Sequence, residues 1–510
     1  MAYRVGSDAV SGIPRPETVV PLPLTRLAEL LPATPHGGDI DVTGVTHSSG
    51  AVRPGDLYAA LPGSKRHGAE FIADAARSGA VAVLTDPAGL AAARAAGLPA
   101  LVAGDPRAVL GAAAAAIYGE PSRRLTMIGI TGTAGKTSTS YLVEAGLRAA
   151  GRVTGLVGTV ETRLGDLVVK SVRTTPEAPD LQAILASGVE RGVTAVVMEV
   201  SSHALVMGRA DGIRFAASGY TNFGQDHLDF HPTSEEYFAA KARLFDGRSE
   251  IGVLNHDDPA VMSLLRPGML TYSASGDSAA TWWASDIRPS AFGQLFTAHG
   301  PGGATVATGV ALPGLHNVAN ALLALALLVA VGIDPEVAGR GILQCRGVPG
   351  RLEQVPAEGD VLGVVDYAHK PNAIVAALAA LRELATARGG RLICVLGAGG
   401  DRDKGKRPLM GEAAAQGADL VIITDDNPRT EDPAFVREGV RRGAEEAAGG
   451  AKVVEVAGRR AAIDEAVRLA GAGDVIAVLG KGNEQGQEVN GQVLPFDDRI
   501  ELAAALGGRA

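Results

Sequence analysis

At 510 residues, 46% hydrophobic and 20% charged with 67 Gly, the chain is too long for one core and too apolar for a disordered or fibrous protein. A net charge of −9 with no dense Lys/Arg run argues against a nucleic-acid partner. Two cysteines, Cys345 and Cys394, exclude a disulfide framework and suit a reducing cytoplasm, and no apolar run reaches the roughly 18 residues of a membrane span.

In chain order, residues 1–23 carry Pro14, Pro16, Pro21 and Pro23 without an apolar period, which predicts an extended, mobile leader without function. Nothing in it resembles a signal peptide, so export is not expected. Residues 24–124 alternate short apolar runs, Val81 to Leu84 and Ala100 to Val102, with Ala-rich helical stretches, the pattern of a small α/β domain. A second series over 125–345 begins with a strand at Leu125 to Thr131. It continues with strands at Thr194 to Val200, Phe215 to Asn222 and Ile251 to Asn255, the rhythm of a parallel sheet covered on both faces. Alternating strands follow from Trp282 to Leu312, then a helix over Asn317 to Val331. Residues 346–510 repeat the α/β rhythm with strands at Val361 to Asp366, Arg391 to Leu396, Leu420 to Thr424, Lys452 to Val456 and Val475 to Leu479. The expected fold class is α/β in three domains: a central P-loop-type parallel sheet flanked by a small α/β domain and a C-terminal Rossmann-like domain.

Between the strand at Leu125 to Thr131 and the next helix lies Gly132-Thr133-Ala134-Gly135-Lys136-Thr137-Ser138. Glycines there let backbone N–H groups approach phosphate oxygens, Lys136 neutralises them and Thr137 can ligate Mg²⁺. Ile130 stands where the generic eight-residue motif has Gly, so the match is to a shorter Gly-x-x-Gly-Lys-Thr form. Glu199 ends the strand that precedes Ser201-Ser202-His203, and Thr221 to Asp229 ends the next, both at the sheet edge where α/β proteins bind ligands. Taken singly, Glu199 reads equally as a solvated strand end, His227 as a structural histidine and Lys241 as an exposed helix lysine.

Together these motifs resemble the Mur ligase family, amide ligases of peptidoglycan precursor synthesis and their relatives. The resemblance runs from about Thr43 to Ala505. It is carried by residues 131–137, Met198 to His203, Asp226 to Asp229, His316 to Asn320, Gly350 to Glu353 and Asp366 to His369. It implies that Thr137, Glu199 and His227 serve two Mg²⁺ sites, with Lys241 carried as a carbamate that turns a cation into a metal ligand. It also implies that Asn320, Arg351, Asp366 and His369 surround the adenine, ribose and γ-phosphate of ATP. Ser49, Thr174, Thr175, Ser201 and Arg209 match positions facing a UDP-linked muramoyl dipeptide, which makes residues 24–124 the UDP-substrate domain. The reaction implied is ATP-dependent activation of a carboxylate as an acyl phosphate, then attack by an amine, without a covalent enzyme intermediate. A monomer is the expected state.

The C-terminal domain carries Gly399 to Pro408, Asp425-Asp426-Asn427-Pro428-Arg429 and Gly480 to Glu484, which resemble the family's acceptor region. An amino-acid acceptor with a free carboxylate wants a bidentate guanidinium, supplied by Arg402 and Arg429, and its ammonium wants Asp426, Gly480 and Glu484. Asn427-Pro428 also makes a turn, which does not account for the arginine after it. Within the family Asp-Asn-Pro-Arg accompanies diaminopimelate, so the expected product joins diaminopimelate to UDP-N-acetylmuramoyl-L-Ala-D-Glu. The chain departs from the family pattern at Ser48, Gly50, Met207, Phe223, Gly224, Gln225 and Asn483. Two alternatives therefore stand at this point: a related ligase with a changed carboxylate or amine, and a catalytically silent ATP-binding protein, against which the intact Lys136, Glu199, His227 and Lys241 argue.

Overall fold

The computed structural model describes residues 13–508 apart from 64, 225, 228–229, 291, 357–358 and 448–449. The chain divides into two compact units, one of residues 1–285, 297–308 and 319–343 and one of 286–296, 309–318 and 344–510. The fold is α/β with parallel-rich sheets, as the alternating apolar runs predict.

The first unit is built on two larger sheets, beside a two-stranded pairing of Leu22–Pro23 with Asp41–Val42. In the smaller, strands run in the order Ala33–His36, Ala100–Ala103, Ala82–Thr85, Asp56–Ala60 and Gly44–Thr46, all parallel but the first. Side chains of a strand alternate between faces, and Asp56–Ala60 shows it: Leu57 and Ala59 enter one core cluster, Tyr58 and Ala60 the other. The first cluster also takes in Ala183 and Ala186 of the helix Ala178–Glu190, so the small sheet packs against the larger sheet's helical layer.

In the larger sheet the strand Thr126–Thr131 lies between Ala195–Glu199 and Phe215–Tyr220, both parallel to it, with Glu199 opposite Ile130 and Tyr220 opposite Thr131. The chain leaves this central strand to one side and returns on the other, which opens a crevice at the carboxyl ends of all three. Beyond them lie Thr154–Val157 on one side and Ser249–Asn255 then Leu270–Ser273 on the other, also parallel. Thr154–Val157, the hairpin Glu161–Leu164 with Leu167–Lys170, and Leu270–Ser273 are additions to the strands expected from sequence. They are too short for a period to register.

The second unit has a six-stranded sheet in the order Glu353–Val355, Leu362–Asp366, Val475–Leu479, Leu392–Ala398, Leu420–Asp425 and Lys452–Glu455. All pairs are parallel except the first. Strands such as Val475–Leu479 are buried along their whole length, so they read as unbroken apolar runs. A hairpin of Gly486–Val489 and Gln492–Pro495 follows the last central strand.

The leader expectation is corrected for residues 13–23, while residues 1–12 lie outside the described residues. Arg15 Nη1 reaches both carboxylate oxygens of Asp56 at 2.8 Å, the amides of Glu17 and Thr18 each donate to Glu190 at 2.8 Å, and Leu22 pairs with Val42. Proline-rich chain gives no period, yet its side chains and amides can still be captured by tertiary partners.

Candidate active site

Gly135 caps the helix Lys136–Ala149 with φ 83°, and a methyl added there would lie 2.4 Å from Asn320 Oδ1. Only glycine suits both demands. Lys136 Nζ folds over its own loop, donating to Gly132 O at 2.7 Å and Thr133 O at 3.1 Å. Thr133 N donates to Asn222 O at 2.9 Å and Ala134 N to Asn222 Oδ1 at 3.1 Å, so the loop is braced by the neighbouring strand's end. The amides from Lys136 to Ser138 belong to the first helical turn, where N–H groups lack helical partners and favour an anion.

Glu199, 1% exposed, joins three segments. Its Oε2 accepts the hydroxyls of Thr137 at 3.1 Å and Thr159 at 3.0 Å, and its Oε1 accepts Thr159 N at 2.8 Å. Thr159 Oγ1 is also 3.0 Å from Thr174 Oγ1, and Thr175 Oγ1 donates to Glu199 O at 2.9 Å while accepting Ser201 N at 3.1 Å. Buried Glu177 pairs with Arg209 at 2.9 Å, with Arg107 at 3.7 Å and with Arg173. Burial draws the Arg209 guanidinium below its usual range, against the Glu177 charge. Asp180, on the same helix as this segment's end, is held above the usual carboxyl range by burial, with His47 the leading counter-charge. Among the described residues His47 Nδ1 is buried without a hydrogen-bond partner, two residues before Ser49 at the end of the strand Gly44–Thr46.

Lys241 is 1% exposed, although helix position alone predicts exposure. Its Nζ donates to Gly132 O at 2.8 Å and sits 4.5 Å from the centre of the Tyr237 ring. Burial, then the Lys136 charge, draws its amine well below the ordinary lysine value. His227, with φ 55°, has its ring 4.8 Å from His203 and 6.0 Å from Tyr237. Thus the strand-tip histidine and the following loop meet around the helix that carries Lys241.

In the second unit the ends of four adjacent strands converge. Asp366 accepts the amides of Leu352 and Ala368, both at 2.7 Å, and burial raises its carboxyl despite Arg351. The Arg351 guanidinium lies 4.6 Å over Tyr367, and His369 Nδ1 donates to Tyr367 O at 2.8 Å. Fully buried Lys481 donates to Asn427 Oδ1 at 2.9 Å and Glu484 Oε2 at 3.0 Å, with Asp426 Oδ1 at 3.8 Å. Arg429 Nε donates to Glu488 Oε2 at 3.0 Å and Nη1 to Gly400 O at 2.7 Å. Gly480 has φ 118°, and a methyl there would lie 2.6 Å from Asp426 Oδ2. Pro428 packs its carbonyl against Gly400, while Arg402 is exposed.

Three family models match the chain: the Mur ligase catalytic domain over residues 41–118, the Mur ligase middle domain over 130–328 and the Mur ligase glutamate ligase domain over 350–482. A protein of Streptomyces coelicolor named UDP-N-acetylmuramoyl-L-alanyl-D-glutamate--2,6-diaminopimelate ligase is 50% identical over 97% of this chain and 98% of its own length. The chain belongs to the Mur ligase family. A ligase of the same name from Corynebacterium glutamicum is 48% identical over 88% of this Mur ligase and 89% of its own length. A solved structure of an enzyme of that name covers 92% of this chain and 95% of its own, with 31% identity and a TM-score of 0.66. Like its family, this Mur ligase is an ATP-dependent ligase, which sets aside the silent-protein alternative.

The Mur ligase family implies Mg²⁺, and the residues present fit one such site. Among the described residues no group of three His, Cys, Asp or Glu forms a metal cage. Mg²⁺ is ordinarily held by one or two carboxylates together with substrate phosphates and water, and the Thr137–Glu199 pair beside a helix start whose amides favour an anion suits such a site. Lys241 as an ammonium repels a cation, so a ligand role requires its conversion to a carbamate.

Sequence reasoning missed Thr159, Glu177, Lys481 and Glu488. Lys481 lies inside Gly480 to Glu484, and its position between Gly480 and Gly482 was the available signal. Glu488 had none, because the hairpin bearing it shows no motif.

Proposed function

We propose that this Mur ligase joins diaminopimelate to UDP-N-acetylmuramoyl-L-Ala-D-Glu with ATP, through an acyl phosphate, as a monomer in the cytoplasm. The three-domain division at about 124 and 345 follows from this reading. So do the roles of Ser49, Thr174, Thr175, Ser201 and Arg209 on the donor side, and of Asn320, Arg351, Asp366 and His369 around ATP.

Lys136 and the helix start from Lys136 to Ser138 receive phosphate oxygens. Thr137 and Glu199 would hold Mg²⁺, which neutralises phosphate charge when bound. Thr159 links Glu199 to Thr174, so the metal-side carboxylate and a donor-side hydroxyl share one rigid chain of hydrogen bonds. Lys241 as a carbamate, with His227, would serve a second Mg²⁺. Formation of that carbamate needs a neutral amine and CO₂ and releases one proton, and burial favours the neutral amine.

The observation that carries the choice of acceptor is Arg429. Its guanidinium is held by Glu488 and Gly400, on the same turn as Asn427, which bonds Glu484, so a second carboxylate on the acceptor would meet an oriented guanidinium. The test is phosphate release with the dipeptide donor and meso-diaminopimelate, its LL isomer or L-lysine, with product mass. Turnover with a diaminopimelate isomer and little with lysine supports the reading, and failure of all three acceptors in an ATP-binding protein rejects it.

A further inference from the structure

The hairpin Gly486–Val489 with Gln492–Pro495 is docked on the acceptor turn through its backbone. Arg429 N donates to Glu488 O at 3.0 Å, Asn490 N to Arg429 O at 2.7 Å and Glu488 N to Asn427 Oδ1 at 2.9 Å. Gln487 Nε2 adds a bond to Asp426 O at 2.6 Å. Arg429 adopts φ 55°, a left-handed conformation that costs a non-glycine residue, and these bonds hold it there.

A guanidinium has five N–H hydrogens. In Arg429 the Nε hydrogen goes to Glu488 Oε2 and one Nη1 hydrogen to Gly400 O, so among the described residues three hydrogens, two of them on Nη2, remain for a ligand. We infer that Glu488 is a positioning residue for the acceptor: by taking Nε it sets the direction of the Arg429 fork, and so the preference for an amino acid with a second carboxylate. This rests on the reading that Arg429 receives that carboxylate.

Two effects of Glu488 oppose each other. Its negative charge weakens attraction of an acceptor carboxylate to Arg429, while its hydrogen bond removes rotamer freedom from a flexible side chain. Glu488 is 40% exposed, so solvent screens the charge, whereas bidentate recognition depends steeply on orientation. Orientation wins. The same exposure makes the pair a small part of the stability, so variants at Glu488 fold.

The experiment measures KM and kcat for diaminopimelate, L-lysine and ATP in the full-length wild type, E488A, E488Q, R429A and E488A/R429A. E488A raises the diaminopimelate KM about tenfold and leaves kcat and the ATP and lysine KM within about twofold. E488Q, whose amide oxygen still accepts from Nε, stays within about threefold of wild type, and the double variant is no worse than R429A. An unchanged diaminopimelate KM in E488A, or an improved one in E488Q, overturns the role of Glu488. If R429A raises that KM and E488A does not, only the role of Glu488 is refuted. If R429A also leaves it unchanged, the acceptor reading fails and the role of Glu488 falls with it.

Discussion

The Thr137 hydroxyl donates to Glu199 at 3.1 Å, tying the first turn of the helix Lys136–Ala149 to the end of the adjacent parallel strand. A hydroxyl and a carboxylate this close make a site for a hard cation without any large rearrangement. Glu199→Gln keeps an oxygen for the Thr159 amide and removes the charge. Turnover is expected to fall about 100-fold, with the Mg²⁺ requirement shifted to higher concentration. Mg²⁺ titration of phosphate release checks this, with circular dichroism to show that the variant is folded.

Lys241 tests the carbamate. Arginine at this position keeps a cation and cannot take up CO₂ in this way, so Lys241→Arg is expected to lose about 100-fold in turnover. Wild type in CO₂-depleted buffer is expected to lose activity that bicarbonate restores, and native mass spectrometry should detect one added CO₂. A wild-type mass without that addition, under conditions of full turnover, would exclude the modification.

Lys481 binds Asn427 and Glu484 from a fully buried position. Lys481→Met leaves Glu484 without its paired cation and Asp426 without a nearby one, while buried Arg459 still acts electrostatically on both. Asp426 is nearly buried and Glu484 is 37% exposed, so the cost is below that of a fully buried pair, about 2 kcal/mol. Urea unfolding measures it. The acceptor KM should rise as well, because Asn427 loses a partner that orients it.

Burial lowers the His369 imidazole from its ordinary 6.5, opposed by the hydrogen bond to Tyr367 O. The unfolded chain therefore takes up a proton at a higher pH than the folded one does. Stability is retained above the unfolded value and declines as pH falls below about 6.5 toward the folded value, by at most about 1.4 kcal/mol per pH unit for this group. Thermal unfolding at about pH 7.5 and about pH 5.5 should show a smaller loss in His369→Gln than in wild type.

Much of this was legible in the chain. The apolar runs at Ala195–Glu199, Leu420–Asp425 and Val475–Leu479 lie within about two residues of where periodicity puts them, because strands buried on both faces leave no polar interruptions. The strand, glycine-rich loop and helix around Gly132 to Ser138 were readable because a tight entry into a helix needs a local sequence, and Asp426 to Arg429 because a turn and a guanidinium are adjacent in the chain. Local geometry is written in local order.

Lys241, Thr159, Glu177 and Glu488 were not readable in this way. The burial of Lys241 comes from Gly132 and Tyr237, of which Gly132 is distant in sequence, and Glu488 meets Arg429 only when a hairpin folds back 59 residues. Composition, motif and periodicity report what neighbours along the chain can do. The charge state of a buried amine and the direction of a guanidinium depend instead on desolvation and on partners brought from elsewhere. Neighbouring residues were enough to read most of the strand and helix framework, the glycine-rich loop at 132–138 and the family, whereas the burial, pairing and aim of the charged side chains arise from partners that meet only in the folded molecule.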